Sequence, residues 1–155
     1  PLAVSELKRI FAEEGVCDYV EVSLAAGAAL GSAEAPGDLA MMLDYRISHL
    51  LVDEMQDTSI SQYRMLETLT AGWQPGDGRT FFCVGDPMQS IYRFREAEVG
   101  LFLRTREQGI GTQRLESCQL TRNFRSRREI VEWVNGHVGP IFPERQDIAA
   151  GRAAE

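Results

Sequence analysis

The sequence is poor in the residues that build metal centres and disulfide frameworks. Three of the 155 residues are cysteine and two are histidine, and neither a CxxC pair nor a Cys/His ligand spacing occurs. An odd number of cysteines without such spacing argues against a zinc site or a disulfide framework, and favours a reducing compartment. No apolar run approaches the roughly 20 residues that a transmembrane helix needs, so we expect a cytoplasmic chain with no membrane partner.

Basic residues are scarce overall but are concentrated in one region. The net charge is -7, which by itself disfavours a nucleic-acid partner. Residues 1–78 carry most of the surplus acid, whereas residues 79–128 hold most of the arginines: Arg79, Arg93, Arg95, Arg104, Arg106, Arg114, Arg122, Arg125, Arg127 and Arg128. A polyanion responds to a local patch, so the second half of the chain stays a candidate for nucleic-acid binding.

The order of the apolar segments predicts an α/β fold. Hydrophobic residues make up 44% of the chain and charged residues 25%, as in one soluble globular domain or part of a larger one. The runs ISHLLVD and TFFCVGD are too short for buried helices, so they predict strands covered on both faces, as in a parallel sheet. The stretch SISQYRMLETLTAG between them predicts a helix, and RLESCQLT predicts a third strand. Since the chain begins with Pro1 and not Met, we expect a processed or excised piece.

Further helices are predicted from periodicity and from start and stop residues. Ser5 is the expected N-cap of a first helix that ends at Gly15, a second helix ends at Gly31, and Asp38 is expected to cap a third. The stretches EAEVGLFLRTREQG and SRREIVEWVNGHV predict two more. Helices would therefore precede the sheet and flank it.

Two adjacent carboxylates, Asp53 and Glu54, follow the first predicted strand. Ligands of parallel sheets bind beyond the carboxyl ends of the strands, where these residues fall. Neighbouring side chains on an extended segment point different ways, so one carboxylate can serve Mg²⁺ while the other orients and deprotonates a water. This pattern is typical of nucleotide hydrolysis. The alternative is that both acids cap the helix that starts near Thr58 or Ser59.

A second cluster, GDPMQS, follows the second predicted strand. Gly85 allows a sharp turn off the strand, which Asp86 shapes. Gln89 supplies a neutral amide that can bond both a phosphate oxygen and a water.

Aromatic and basic residues then alternate, with Tyr92 and Phe94 interleaved with Arg93 and Arg95. This pattern suits single-stranded nucleic acid, because bases stack on aromatic rings and phosphates pair with guanidinium groups. Each stacked base is worth about 1–3 kcal/mol. The alternative is that both aromatic side chains belong to the core.

A third cluster, LTRNFRSRREI, places Arg125 directly after Phe124. An arginine from a neighbouring lobe can neutralise charge that develops on a transferring γ-phosphoryl group, a contribution of about 10³–10⁵ in rate. The alternative is a solvated arginine near the start of a helix.

Together the segments LLVDEMQDTS, VGDPMQSIYRFREA and LTRNFRSRREI resemble motifs II, III and IV of the superfamily-one DNA helicases typified by UvrD, Rep and PcrA, in the same order. The resemblance covers about residues 43–135. The stretches GDPMQSIYRFREAEVGLF and RNFRSRREIV are more similar to the RecB and AddA branch, the helicase–nuclease subunits that process double-strand breaks, than to UvrD itself.

The resemblance implies a role for each matching residue. Asp53 would serve the Mg²⁺ of MgATP, Glu54 would be the catalytic base, and Gln56 and Asp57 would complete the nucleotide site as coupling residues. Three further residues would act around the γ-phosphate and adenine: Gln89 as the phosphate sensor, Arg125 as the charge-neutralising arginine and Phe124 at the base. Three residues would face single-stranded DNA: Tyr92, Phe94 and Arg95.

The same resemblance implies a partial RecA-like parallel sheet flanked by helices. Residues 1–120 would be the C-terminal part of motor domain 1A, with a helical lead-in over 1–46, and residues 121–155 would hold motif IV and the start of domain 2A or a tail. The phosphate-binding loop GxxxxGK[ST] does not occur in the 155 residues. We therefore expect this chain alone to hydrolyse no ATP.

The leading hypothesis is a fragment of an ATP-dependent 3′-to-5′ DNA helicase or translocase that works with a partner protein in a helicase–nuclease. A second hypothesis is a non-catalytic DNA-binding or scaffold module derived from such a helicase. A third is an interaction domain whose arginine-rich face binds protein. A reading frame that continues upstream into GxxxxGK[ST] would favour the first, and salt-sensitive binding of single-stranded DNA would argue against the third.

Overall fold

The computed structural model describes residues 2–92, 94 and 97–141. In this part of the chain six helices and two strands follow one another: α1 Leu2–Glu14, α2 Tyr19–Leu30, α3 Asp38–Arg46, β1 His49–Val52, α4 Ile60–Thr70, β2 Thr80–Cys83, α5 Val99–Gln108 and α6 Arg128–His137. None of these helices combines the length and the apolar character that crossing a membrane requires.

The two strands pair in parallel, with His49 opposite Thr80 and Val52 opposite Cys83. Helix α4 makes the crossover between them, as a parallel strand pair requires. The predicted α/β class and both central strands are thus confirmed.

The third predicted strand, over residues 114–121, is wrong. The described chain has no strand there, and residues 116–130 are all exposed, with Leu120 at 91%. A strand is stable only when a neighbour pairs with it, and this segment runs along the surface without one in the described residues.

Within the residues that the structure describes, one face of the sheet is covered and the other is not. Leu50, Val52 and Phe81 pack against the core, whereas Leu51 is 71% exposed and Phe82 is 59% exposed. Strand side chains alternate between faces, so the whole apolar set on the second face lies open. The expectation that both faces are covered is therefore wrong for this chain, because the core helices α4 and α5 supply side chains to one face alone.

The core forms where α4 and α5 meet the covered face of the sheet. Its buried members are Met55, Tyr63, Leu66, Leu101 and Ile110. The spacing of three between the two α4 residues places both on one side of that helix. Burial of apolar side chains of this size stabilises a fold by about 1.5–3 kcal/mol each.

The residue at which a helix begins depends on local capping interactions as well as on apolar periodicity. Helix α4 begins after Ser59, which forms a capping box with Gln62. By contrast, α1 begins at Leu2, so the expectation that Ser5 caps it is wrong. Gly37, not Asp38, is the N-cap of α3, and Asp38 is its first residue, where a carboxylate complements the helix dipole.

Arg79, one of the clustered arginines, is used within the fold. Its guanidinium pairs with Asp44 of α3, lies 3.6 Å from an Asp77 oxygen and stands 5.7 Å from the centre of the Trp73 ring. These contacts tie α3 to the turn before β2. Arg79 is thus engaged with protein groups, and the basic region available to a polyanion is smaller than the sequence suggests.

Candidate functional site

The loops after β1 and β2 leave the sheet side by side. The Val84 N–H donates to the Val52 carbonyl at 2.8 Å, and the Met55 N–H donates to the Val84 carbonyl at 2.9 Å. The strand pairing therefore continues past both strand ends. As a result the acidic loop and the GDPMQS loop start from one hydrogen-bonded frame.

Asp53 and Glu54 occupy the outer side of the first loop, and both are exposed. Glu54 has φ 52° and ψ 41°, the left-handed region, and it is the only non-glycine residue with positive φ in the described chain. This conformation costs about 1–2 kcal/mol in a residue with a side chain. The segment is therefore not extended at Glu54, contrary to the expectation. The Asp53 side chain accepts the Glu54 N–H at 2.9 Å.

The alternative in which both acids cap the following helix is not supported. Ser59 caps α4, and Glu54, which precedes the 3-10 turn Met55–Asp57, makes no side-chain capping bond. The carboxylates thus have no helix-capping duty that would account for their position.

Gln56 lies beneath the acids and is 1% exposed. Its Nε2 donates to Glu54 Oε2 at 2.7 Å and to Asp57 Oδ2 at 3.2 Å. Its Oε1 accepts the Asp86 N–H at 3.0 Å. One buried amide therefore joins the two loops.

The absence of a side chain at Gly85 leaves room for the Gln56 amide. A Cβ at this position would lie 2.7 Å from Gln56 Oε1 and 3.0 Å from the Phe102 ring. Its φ is not positive, so the expected sharp turn is not what requires glycine. Close approach of the backbone to Gln56 requires it.

The second loop is held by Asp86 and Ser90. Asp86 accepts the Met88 N–H at 2.9 Å and the Gln89 amide at 2.7 Å. Ser90 Oγ donates to Asp57 Oδ1 at 3.2 Å. Sequence reasoning did not single out Ser90; the only signal was a small hydroxyl residue at the end of GDPMQS.

Tyr92 and Phe94 stand beyond this loop with their ring centres 5.9 Å apart and tilted by 55°. Tyr92 is 38% exposed and Phe94 is 76% exposed, so the alternative that they belong to the core is wrong. Their expected basic neighbours, Arg93 and Arg95, lie outside the described residues.

Phe124 and Arg125 lie in an exposed turn in which Asn123 Oδ1 accepts the Arg125 and Ser126 N–H groups at 2.9 and 3.0 Å. Phe124 is 89% exposed. Within the described ranges, no hydrogen bond or ion pair joins either residue to the acidic loop. The site that the structure assembles therefore contains Asp53, Glu54, Gln56, Asp57, Asp86, Gln89 and Ser90.

The end of β2 beneath these loops is less polar than the loops themselves. Cys83 is half-buried next to the core, and burial raises the pKa of its thiol. The carboxylates thus sit at a boundary between an apolar sheet and solvent.

Comparison with known proteins gives consistent similarities. Residues 3–109 match the UvrD/REP helicase N-terminal domain. The chain is also similar to several proteins named as ATP-dependent helicase/nuclease subunits of the AddA type. It is 37% identical over 143 residues to the Exiguobacterium sibiricum protein, an alignment that covers 90% of this chain and 11% of that protein.

Two more relatives with the same name support this. The identity is 39% over 112 residues for Lysinibacillus sphaericus, covering 71% of this chain and 9% of the relative. It is 38% over 127 residues for Pelotomaculum thermopropionicum, covering 79% and 10%. The chain thus spans about a tenth of the length of the relatives it matches.

Proposed function

The chain belongs to the UvrD/REP helicase family, and from that premise we propose that it is the part of an ATP-dependent DNA helicase that carries the acidic half of the nucleotide site. The observation that carries the proposal is the junction of two loops at the carboxyl ends of neighbouring parallel strands. Nucleotide sites of parallel α/β sheets form at this edge.

Two exposed carboxylates divide the proposed chemistry. Asp53 would hold Mg²⁺, and Glu54 would orient an attacking water and accept its proton. Gln56 and Asp57 would complete the nucleotide site behind them. Gln89, whose amide projects from the second loop onto Asp86, would sense the γ-phosphate once it leaves that partner.

The donor set fits a magnesium ion that arrives with its nucleotide. Mg²⁺ in such sites takes one or two carboxylates, with phosphates and waters completing its coordination. In the described residues no group of three or more His, Cys, Asp or Glu is placed to hold a metal. When bound, Mg²⁺ would neutralise phosphate charge; Asp53, whose Oδ2 makes no hydrogen bond with the described chain, would be its ligand.

Arg125 and Phe124 would reach the nucleotide from a second lobe. Their turn is exposed, as it would be if these residues act on a nucleotide across a lobe boundary. Arg125 would neutralise charge on the γ-phosphoryl group and Phe124 would pack on adenine. This arrangement accords with domain 1A ending near residue 120.

Single-stranded DNA is the proposed track. The exposed Tyr92 and Phe94 rings offer stacking surfaces next to the loop that carries Gln89, and Arg95 would meet a phosphate. Because the relatives are named as helicase/nuclease subunits, we further propose a 3′-to-5′ motor of a cytoplasmic helicase–nuclease that processes double-strand breaks with a partner protein.

The uncovered sheet face supports a larger assembly around this chain. Leu51 and Phe82 would be buried by further RecA-like elements of the longer protein. Since the 155 residues contain no GxxxxGK[ST], we propose that this chain alone does not hydrolyse ATP.

The test is DNA-stimulated ATPase activity of the longer protein with and without Glu54→Gln. We expect magnesium-dependent turnover in the wild type, and Glu54→Gln should lower it by about 10²–10⁴-fold. Glu116→Gln, at an exposed position outside the site, is the matched control and should leave turnover unchanged. A longer protein that binds DNA but shows no turnover would favour the non-catalytic DNA-binding or scaffold module instead.

A further inference from the structure

We propose that Gln56 is a positioning residue that fixes the Glu54 carboxylate and sets its place relative to Gln89. This inference rests on the proposed function, since it concerns how the same site is held. It starts from the burial of Gln56, which is 1% exposed and so acts on the nucleotide only through the groups that it touches.

The orientation of the Gln56 amide is determined by its partners. Its oxygen faces the Asp86 N–H, which is a donor and cannot accept. The amide nitrogen therefore faces the carboxylates of Glu54 and Asp57, at 2.7 and 3.2 Å. A rotated amide would set oxygen against carboxylate and nitrogen against N–H, so that every polar contact of the amide became repulsive. The surroundings thus allow one orientation.

The Gln56 amide holds one oxygen of the Glu54 carboxylate in place. Glu54 Oε2 is engaged by Gln56, and Glu54 Oε1 makes no hydrogen bond within the described chain. One oxygen is therefore held by the protein while the other is presented outward, where a water could lie. Glu54 makes this contact from a left-handed backbone conformation. Orientation of a base to a fraction of an ångström strongly affects rate.

The same amide connects Glu54 with Gln89. From Glu54 the hydrogen bonds run through Gln56 to the Asp86 backbone, and from the Asp86 side chain to the Gln89 amide. Gly85 permits this connection because a side chain there would collide with Gln56. A change at Gln56 would therefore displace both proposed groups together.

The main test is Gln56→Glu in the longer protein. This variant keeps the volume and the oxygen that accepts the Asp86 N–H, but it replaces the donor with an oxygen that faces Glu54 and Asp57. We expect kcat for ATP to fall roughly 10- to 100-fold, part of the about 10²–10⁴ that a placed base contributes, while KM for ATP stays within about threefold. A lower kcat at an unchanged KM is a result that a general loss of structure would not give.

Two comparisons make the result specific. Gln62→Glu, which retains the capping box at the start of α4, is the matched control and should leave kcat and KM unchanged. Gln56→Met removes the donor without adding charge. It should also lower kcat at an unchanged KM, and it carries the test if Gln56→Glu does not fold.

The outcomes separate the two proposals. If the wild type hydrolyses ATP and Glu54→Gln abolishes turnover, but folded Gln56→Glu and Gln56→Met retain wild-type kcat, the positioning role is overturned and the proposed function stands. If the wild type shows no turnover, both are overturned. A fall in kcat with unchanged KM in the folded Gln56 variants supports the positioning role.

Discussion

Ser90 Oγ lies 3.2 Å from Asp57 Oδ1, although 33 positions separate the two residues in the chain. Ser90 Oγ also approaches the Gln56 carbonyl at 3.5 Å. The bond from Ser90 to Asp57 is a second side-chain link between the loops after β1 and β2, independent of the Gln56 amide. Two separate ties make the pair of loops stiffer than either bond alone would.

Ser90→Ala should loosen this tie without disturbing the sheet. The bond is partly buried and its acceptor is a carboxylate, so we expect a loss of about 1.5–3 kcal/mol in the free energy of unfolding. Urea unfolding should show a lower midpoint with an unchanged m-value. Ser23→Ala, on the exposed side of α2, should change the free energy of unfolding by no more than about 0.5 kcal/mol. Equal midpoints for Ser90→Ala and wild type would contradict the assignment.

Gly85→Ala should destabilise the chain because the new Cβ meets a crowded site. It would approach the Gln56 backbone nitrogen at 3.2 Å as well as its side-chain oxygen at 2.7 Å, and a backbone atom cannot simply rotate away. Overpacking of this kind costs about 1–3 kcal/mol.

The matched control for Gly85→Ala is Gly136→Ala in α6, where nothing lies within 4 Å of the position that a Cβ would take. Alanine suits a helix interior better than glycine by roughly 1 kcal/mol, so this variant should be neutral or stabilised. Thermal unfolding of both variants, followed by circular dichroism, compares them directly. If both glycines tolerate alanine equally, the close approach at Gly85 is wrong.

Phe94→Ala should weaken binding of single-stranded DNA by the longer protein. A stacked base is worth about 1–3 kcal/mol, which corresponds to a roughly 5- to 150-fold rise in Kd. Fluorescence anisotropy with a labelled oligonucleotide at a fixed low salt concentration measures the change. Tyr19→Ala, at an exposed aromatic residue on α2, provides the control and should leave Kd unaltered. A normal Kd for Phe94→Ala would remove this residue from the DNA surface.

Cys83 should react more slowly with iodoacetamide than the exposed Cys17 and Cys118. Burial raises the pKa of the Cys83 thiol, so less of the reactive thiolate is present at any given pH and its rate should keep rising to higher pH. Mass spectrometry of the three cysteine peptides at several pH values provides the rates. In denaturant the three rates should converge, and a fast Cys83 in the native chain would show that β2 is more open than described.

Periodicity and punctuation predicted the central unit of the fold. The apolar runs of β1 and β2, and the glycines that end α2 and α5, are local signals with a local physical cause. The run RLESCQLT also resembles a strand locally, but a strand depends on a partner that its own sequence does not specify. The open sheet face has the same origin, because a single segment does not reveal what lies against it.

The sequence also predicted the candidate site only in part. The positions of Asp53, Glu54 and Gln89 at the carboxyl ends of two strands follow from the order of the segments. The buried amide of Gln56 and the bond from Ser90 to Asp57 connect residues about thirty positions apart, and no local pattern encodes them. The sequence alone therefore does not predict which residues of the two loops contact each other.

The left-handed backbone at Glu54 has a consequence for how this protein could be improved. Glycine there would relieve the strain of about 1–2 kcal/mol, but it would also favour the unfolded chain by about 0.4–1 kcal/mol and remove the carboxylate that accepts the Gln56 amide, a bond worth about 1.5–3 kcal/mol. Glu54→Gly should therefore not raise the thermal midpoint of the chain. The same change would delete the proposed base. Stability and the proposed turnover therefore both favour a strained glutamate at position 54, and a screen for stabilised variants made without an activity assay would not be drawn to glycine there.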